Sequence, residues 1–296
     1  MRKLDLEINN IAYQGAILWA IFLVLGAALS LLIRPFKERN FFSRLKVWLF
    51  IIPVFLSAIY LGKWGFFGLV VFCFSASYYE IARLNKEMKF WPHFFSIMLA
   101  LPWIIVAQLF EYNSWLIIPA LLASAMVLYV FISWKQNNPW NLPVFSLILG
   151  VSLSYWLYLY GFAGFRLPLF VFSVVSLCDV MAFVCGRLLG RFKPFSKISP
   201  HKTAAGYLGG FLSALAAVFL FRFAVPNLNF FQLIFTGFLL VASGIIGDLL
   251  GSKIKRLYNV KDFSHLLGPM GGIIDRLDSL LITMGTFYFY LVVFIK

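Results

Sequence analysis

Acidic residues are scarce in this chain, with 11 Asp and Glu against 25 Lys and Arg. Four of the acids fall within or at the ends of long apolar runs: Asp179, Asp248, Asp275 and Asp278. A carboxylate placed there is costly, and a function is the default explanation for it. If the helix carrying Asp248 continues beyond its apolar run, Asp248, Ser252, Lys255 and Arg256 fall at i, i+4, i+7 and i+8 and share a face. Asp275 and Asp278, at i and i+3, share a face at the start of the last helix. Carboxylates opposed to Lys and Arg suit a hard divalent cation that holds a polyphosphate, because Mg²⁺ prefers oxygen ligands and keeps several waters. The plainer alternative is that Asp275 and Arg276 cap a helix while Lys255 and Arg256 anchor it at the lipid headgroups.

A second basic stretch, from Gly186 to Lys202, has five Lys or Arg and no acid, and it runs into Ser199, Pro200, His201, Lys202 and Thr203. Ser at an N-cap followed by Pro predicts a helix start. Free amides there, beside Lys202, make an anion site, and capping plus topology is the competing explanation. Behind it, Ala204, Ala205, Gly206, Gly209 and Gly210 offer a small surface for close helix packing. His93, His201 and His265 lack ligand spacing, and Cys73, Cys178 and Cys185 lie inside apolar runs, so neither a zinc site nor a disulfide framework is expected. Glu80, near the end of its run, either faces the same polar region or snorkels to the surface.

The elements that must position these groups are membrane helices. Hydrophobic residues make up 62% of the 296, charged residues 12%, and the mean hydropathy is +0.91, which excludes a soluble globular domain and a disordered chain. Runs of about twenty apolar residues predict spans near 14–33, 47–62, 64–82, 90–110, 114–133, 142–165, 167–185, 203–222, 231–250 and 279–295. Gly62 and Lys63 alone separate the second from the third, so the pair reads as a tight hairpin or one broken element, and the count as nine or ten. The fold class is all-α, a polytopic helix bundle, with residues 1–165 as an N-terminal helical region and 166–296 as the region carrying the motifs. Most of the Lys and Arg fall in one alternating set of loops, which the positive-inside rule assigns to the cytoplasm. That places both termini outside and all four acids at the cytoplasmic face. The net charge of +14 thus marks topology and not nucleic-acid binding.

The segment from Ser252 to Asp278, SKIKRLYNVKDFSHLLGPMGGIIDRLD, resembles the signature of the phosphatidate cytidylyltransferases, the CDP-diacylglycerol synthases. Ser252, Lys255, Arg256, Lys261, Asp262, Gly271, Gly272, Asp275, Arg276 and Asp278 carry the likeness. Upstream, Asp179 through Arg187, and Ser199, Pro200, Lys202, Thr203 and Gly206, resemble two further motifs of that family. The resemblance covers roughly residues 170–285. Two departures stand beside it: Met270 where the family usually has His before paired glycines, and Ala205 where it usually has Glu.

The resemblance implies an integral membrane enzyme that transfers CMP from CTP to phosphatidic acid or a related lipid phosphate, with Mg²⁺ as cofactor and room for a second metal ion. Asp248, Asp275 and Asp278 would hold the metal. Catalysis would rest on Asp248, Asp275, Lys255, Arg256, Lys261 and Arg276. Asp179, Arg187, Ser199, Lys202, Thr203, Ser252 and Asp262 would bind substrate. A bacterial inner membrane is the expected location, membrane lipids and CTP the expected partners, and a homodimer is compatible with it. A CTP-dependent lipid kinase would release CDP in place of pyrophosphate, and a silent relative or a transporter would keep the fold alone. Against a transporter, the charges gather at one membrane face and not at mid-depth.

Overall fold

A computed structural model describes residues 13–21, 24, 39–84, 90–109, 141–193 and 203–295. Their long elements are all helices: α1 over 13–21, α2 Arg39–Tyr60, α3 Gly62–Leu84, α4 Phe90–Leu109, α5 Asn141–Ala163, α6 Arg166–Leu189, α7 Ala204–Leu220, α8 Phe230–Leu257 and α9 Ile274–Tyr290. A π-helical turn, Leu291–Ile295, continues α9. Helices are what a bilayer demands, because each satisfies its backbone hydrogen bonds internally. Five of them are long and apolar enough to cross a membrane: α3, α5, α6, α8 and α9 with its π turn. Shorter apolar stretches lie at Lys46–Tyr60, Ser96–Leu109 and Ala204–Leu220. The chain is an all-helical integral membrane protein. The second and third expected spans are two separate helices, joined at Leu61 and at Gly62, whose φ of 75° only glycine adopts freely. The span expected at 114–133 lies outside the described residues.

Helix α5 is the buried centre, flanked by α3, α4 and α9. Hydrocarbon gives helices no hydrophobic reason to associate, so contact must come from shape. Two devices supply it. On one side, aromatic rings interlock: Trp19 stacks on Trp48 at 5.9 Å, Phe55 stacks on Phe172 at 4.1 Å, and Trp19 Nε1 donates to Ser173 Oγ at 3.0 Å. This joins α1 and α2 to α6. On the other, the expected small surface packs α7 closely along α6, where Gly206 faces the Ala182 carbonyl and Gly210 faces Cys178.

The start of α7 agrees with the expected span near 203–222. The helix begins at Ala204, with Thr203 as its N-cap. Thr203 is extended (φ −113°, ψ 155°), and its Oγ1 accepts from the Gly206 amide at 3.1 Å. Ser199, Pro200, His201 and Lys202 lie outside the described residues.

Helix α8 runs 28 residues, on past its apolar run to Leu257, and its N-terminus is fixed by a reciprocal capping box between Asn229 and Gln232. It packs on α9 through Gly247 and Gly251, one turn apart. A Cβ at Gly247 would collide with the Asp278 carbonyl, and one at Gly251 would lie 3.1 Å from the Asp278 carboxylate.

Gly247→Leu is therefore expected to lower stability by about 1–3 kcal/mol through overpacking, measured by thermal unfolding in detergent. Gly68→Ala, where an added methyl meets nothing within 4 Å, is the control and should stay within about 0.5 kcal/mol. Equal shifts in the two variants would contradict the close α8–α9 approach.

Candidate functional site

The first turn of any helix leaves backbone N–H groups without partners; at α9 Glu80 meets two of them, and Asp275 takes amides of the chain that leads into the helix. Asp275, in the first turn itself, is buried. Its Oδ1 accepts from Lys255 Nζ at 2.8 Å, and its Oδ2 accepts from the amides of Phe263 (2.9 Å) and Gly272 (2.8 Å). Glu80, near the end of α3, is 2% exposed. Its Oε1 accepts from the Ile273 amide at 2.8 Å and from Ser264 Oγ at 2.6 Å, and its Oε2 accepts from the Ile274 amide at 3.0 Å. Negative charge at a helix N-terminus is also favoured by the helix dipole.

These contacts explain the paired glycines. Gly271 has φ of 82°, and a Cβ on it would lie 2.6 Å from Asp275 Oδ2; a Cβ on Gly272 would lie 2.5 Å from both Glu80 oxygens. Each glycine thus makes room for one carboxylate. Between Tyr258 and Ile273 the chain is a loop whose shape these two acids hold. Met270, buried at 5%, ends a short 3₁₀ turn, Gly268–Met270, that packs against α2.

From Asp275 the polar contacts run inward. Lys255 Nζ also stands 3.9 Å from Asp278 Oδ2 and 5.5 Å from the centre of the Phe263 ring. Asp278 Oδ1 accepts from the Ser279 amide at 2.8 Å, and Ser279 Oγ donates to Asp179 Oδ2 at 3.3 Å. Helices α6, α8 and α9 therefore bring Asp179, Lys255, Asp275 and Asp278 into one connected cluster.

Asp248 is half-buried on α8, between Gly247 and Gly251. Arg256 and Lys261 are exposed at the rim, while Ser252, Asp262 and Arg187 are half-buried. Thr203 is buried as the cap of α7 and packs beside Gly186 and Gly190. Ser199 and Lys202 fall outside the described residues. Glu80 is the residue whose role the sequence left unassigned. Its only signal was an acid near the end of an apolar run.

Among the described residues, no three His, Cys, Asp or Glu side chains converge to hold a metal by themselves. Mg²⁺ needs fewer protein ligands, since it retains waters and takes phosphate oxygens. Carboxylates linked through Ser279 and Lys255 are the donor chemistry it prefers, and a thiol-seeking ion would find none in that chain of contacts.

Residues 42–294 match the model of the Cytidylyltransferase family. The phosphatidate cytidylyltransferase of Staphylococcus saprophyticus is 31% identical over 229 residues, 73% of this chain and 88% of the relative. That of Bacillus subtilis is 28% identical over 253 residues, 81% of this chain and 94% of the relative. That of Staphylococcus haemolyticus is 38% identical over 122 residues, 41% of this chain and 47% of the relative, so this alignment spans just under half of that protein.

Glu80→Ala strands the buried amides of Ile273 and Ile274, at about 1–3 kcal/mol for each buried group left unsatisfied. Hydrogen–deuterium exchange should show these two amides losing protection while those of α5 keep theirs. Unchanged exchange at Ile273 and Ile274 would refute the cap.

Proposed function

Since the chain belongs to the Cytidylyltransferase family, we propose that it is a CTP:phosphatidate cytidylyltransferase, making CDP-diacylglycerol and pyrophosphate from CTP and phosphatidic acid in phospholipid biosynthesis. The observation that carries this reading is the Lys255–Asp275–Asp278 cluster, held by the loop between Tyr258 and Ile273 within the matched region. Relatives named phosphatidate cytidylyltransferase over most of the chain support the substrate pair. They do not favour a lipid kinase, a transporter or a silent relative.

In the reaction, a phosphate oxygen of the lipid attacks the α-phosphorus of CTP. The new P–O bond forms as the bond to the bridging oxygen breaks, and pyrophosphate leaves with the electron pair. The work is alignment and charge neutralisation, since both reactants are anions. Lys255, held between two carboxylates, presents its ammonium at a fixed position. Exposed Arg256 and Lys261 meet the incoming triphosphate from the rim, and Arg276 meets a phosphate beside Asp275. Asp275 keeps Lys255 and the loop in place, and Asp179 with Ser279 ties α6 to α9. Asp248, Asp275 and Asp278 are the acids that would hold Mg²⁺, which supplies neutralisation of the triphosphate when bound. Arg187, Ser199, Lys202, Thr203, Ser252 and Asp262 complete the proposed substrate contacts, with the site facing the cytoplasm.

The test is incubation of the detergent-purified protein with labelled CTP, phosphatidic acid and Mg²⁺, following CDP-lipid and pyrophosphate. Product should require the divalent cation. Asp275→Asn should lower kcat/KM by about a hundredfold or more, the order lost when a preorganised electrostatic group is removed. CDP in place of pyrophosphate, or no product from a folded protein that binds CTP, would overturn the reading.

A further inference from the structure

A groove of about 830 Å³ of empty space, part of it open to the outside, lies between α2, α3, α6 and α9. Its walls are apolar, represented by Val54, Phe72, Val175 and Leu280, and its polar groups are Ser176, Asp179 and Arg276. Arg276 follows Asp275 directly and lies one turn before Ser279, whose hydroxyl binds Asp179. The polar groups of the groove therefore adjoin the acid cluster. Val54 and Phe72 are 37% and 56% exposed, which opens the groove sideways between helices α2 and α3.

Arg276 is the unusual member. Its Nε is buried, and among the described residues it has no hydrogen-bond partner. A guanidinium donor buried without an acceptor is costly, and its fork geometry suits a phosphate. The anion that satisfies it here must tolerate apolar walls. A free nucleotide does not, because its ribose and remaining phosphates would be stripped of water against Val54 and Phe72. A phosphate carrying hydrocarbon chains does.

Resting on the reading that the acceptor is a lipid phosphate, we propose that this groove is the acceptor-lipid site: Arg276 binds the lipid phosphate and an acyl chain lies along the α2–α3 wall. Arg276 thereby serves the lipid and not the triphosphate, and Asp179 marks the border between the groove and the acid cluster. Helices of the N-terminal region, which carry none of the signature, then contribute to lipid selection.

Two kinetic variants and one binding measurement test this. Val54→Trp narrows the wall. It should raise KM for dioleoyl phosphatidic acid by about fivefold while that for the dihexanoyl lipid stays within about twofold, with KM for CTP unchanged. Arg276→Gln should raise KM for the lipid by about tenfold with less than about twofold change for CTP. A rise confined to CTP, or equal effects of Val54→Trp on long and short lipids, would overturn the assignment. Because either variant can also misfold, the wild-type protein is incubated without CTP with phosphatidic acid bearing a mid-chain diazirine, and cross-links are mapped by mass spectrometry. Cross-links on α2 and α3 around Val54 and Phe72 support the groove; cross-links confined to the outer faces of α7 and α8 refute it. Since this arm needs no turnover, it reads the groove even if the wild-type protein makes no CDP-lipid, an outcome that would sink the catalytic reading instead.

Discussion

Everything at the site depends on the ion pair between Lys255 and Asp275. The pair joins two helices, α8 and α9, and the loop between them folds around the Asp275 side chain. One oxygen takes the lysine and the other takes two backbone amides. A buried ion pair earns stability only when hydrogen bonds satisfy its remaining valences, and here the amides of Phe263 and Gly272 do so. Removing either partner would leave a charge in a place with little water, and breaking such a pair is strongly destabilising. The same carboxylate therefore serves the fold and, in the proposed reaction, the chemistry, and its fixed geometry holds the lysine's charge in one place.

Glu80 extends this arrangement across the chain. A residue of α3 caps α9 from 193 positions away, and Gly272 exists in its present form because that carboxylate occupies the space a side chain would take. The loop is thus held from its own helix by Asp275 and from another helix by Glu80. Small residues perform the corresponding task between helices: Gly247 and Gly251 admit Asp278, as Gly206 and Gly210 admit α6. Carboxylates can be seated so deeply only because glycines yield them the volume.

How much of this the amino-acid order reveals varies with the distance over which each interaction acts. The apolar runs give the helices, since period and length are local properties, and α8 does run on past its apolar part as the spacing of Asp248, Ser252, Lys255 and Arg256 requires. The shared face is only partly realised: Lys255 turns inward to Asp275 while Arg256 is exposed. The expected span near 203–222 matches α7, whose cap Thr203 sits beside Gly186 and Gly190, while the Ser-Pro start expected at Ser199 lies outside the described residues. Glu80 could not be assigned from order alone. Nothing in its neighbourhood encodes a partner so far along the chain, and only the close packing of α3 and α5 beneath α9 brings it there.

The length of α8 sets a height. Its 28 residues extend about 42 Å at 1.5 Å per residue, beyond the ~30 Å hydrocarbon layer of a bilayer. Lys255 and Arg256 ride on the final turn, so the helix acts as a ruler that sets their charges beyond its apolar part. A thicker bilayer would draw this end of the ruler into hydrocarbon or force α8 to stand more upright, at a fraction of a kcal/mol per ångström. The composition of the surrounding membrane thereby acts on the site mechanically, through the depth at which it sits.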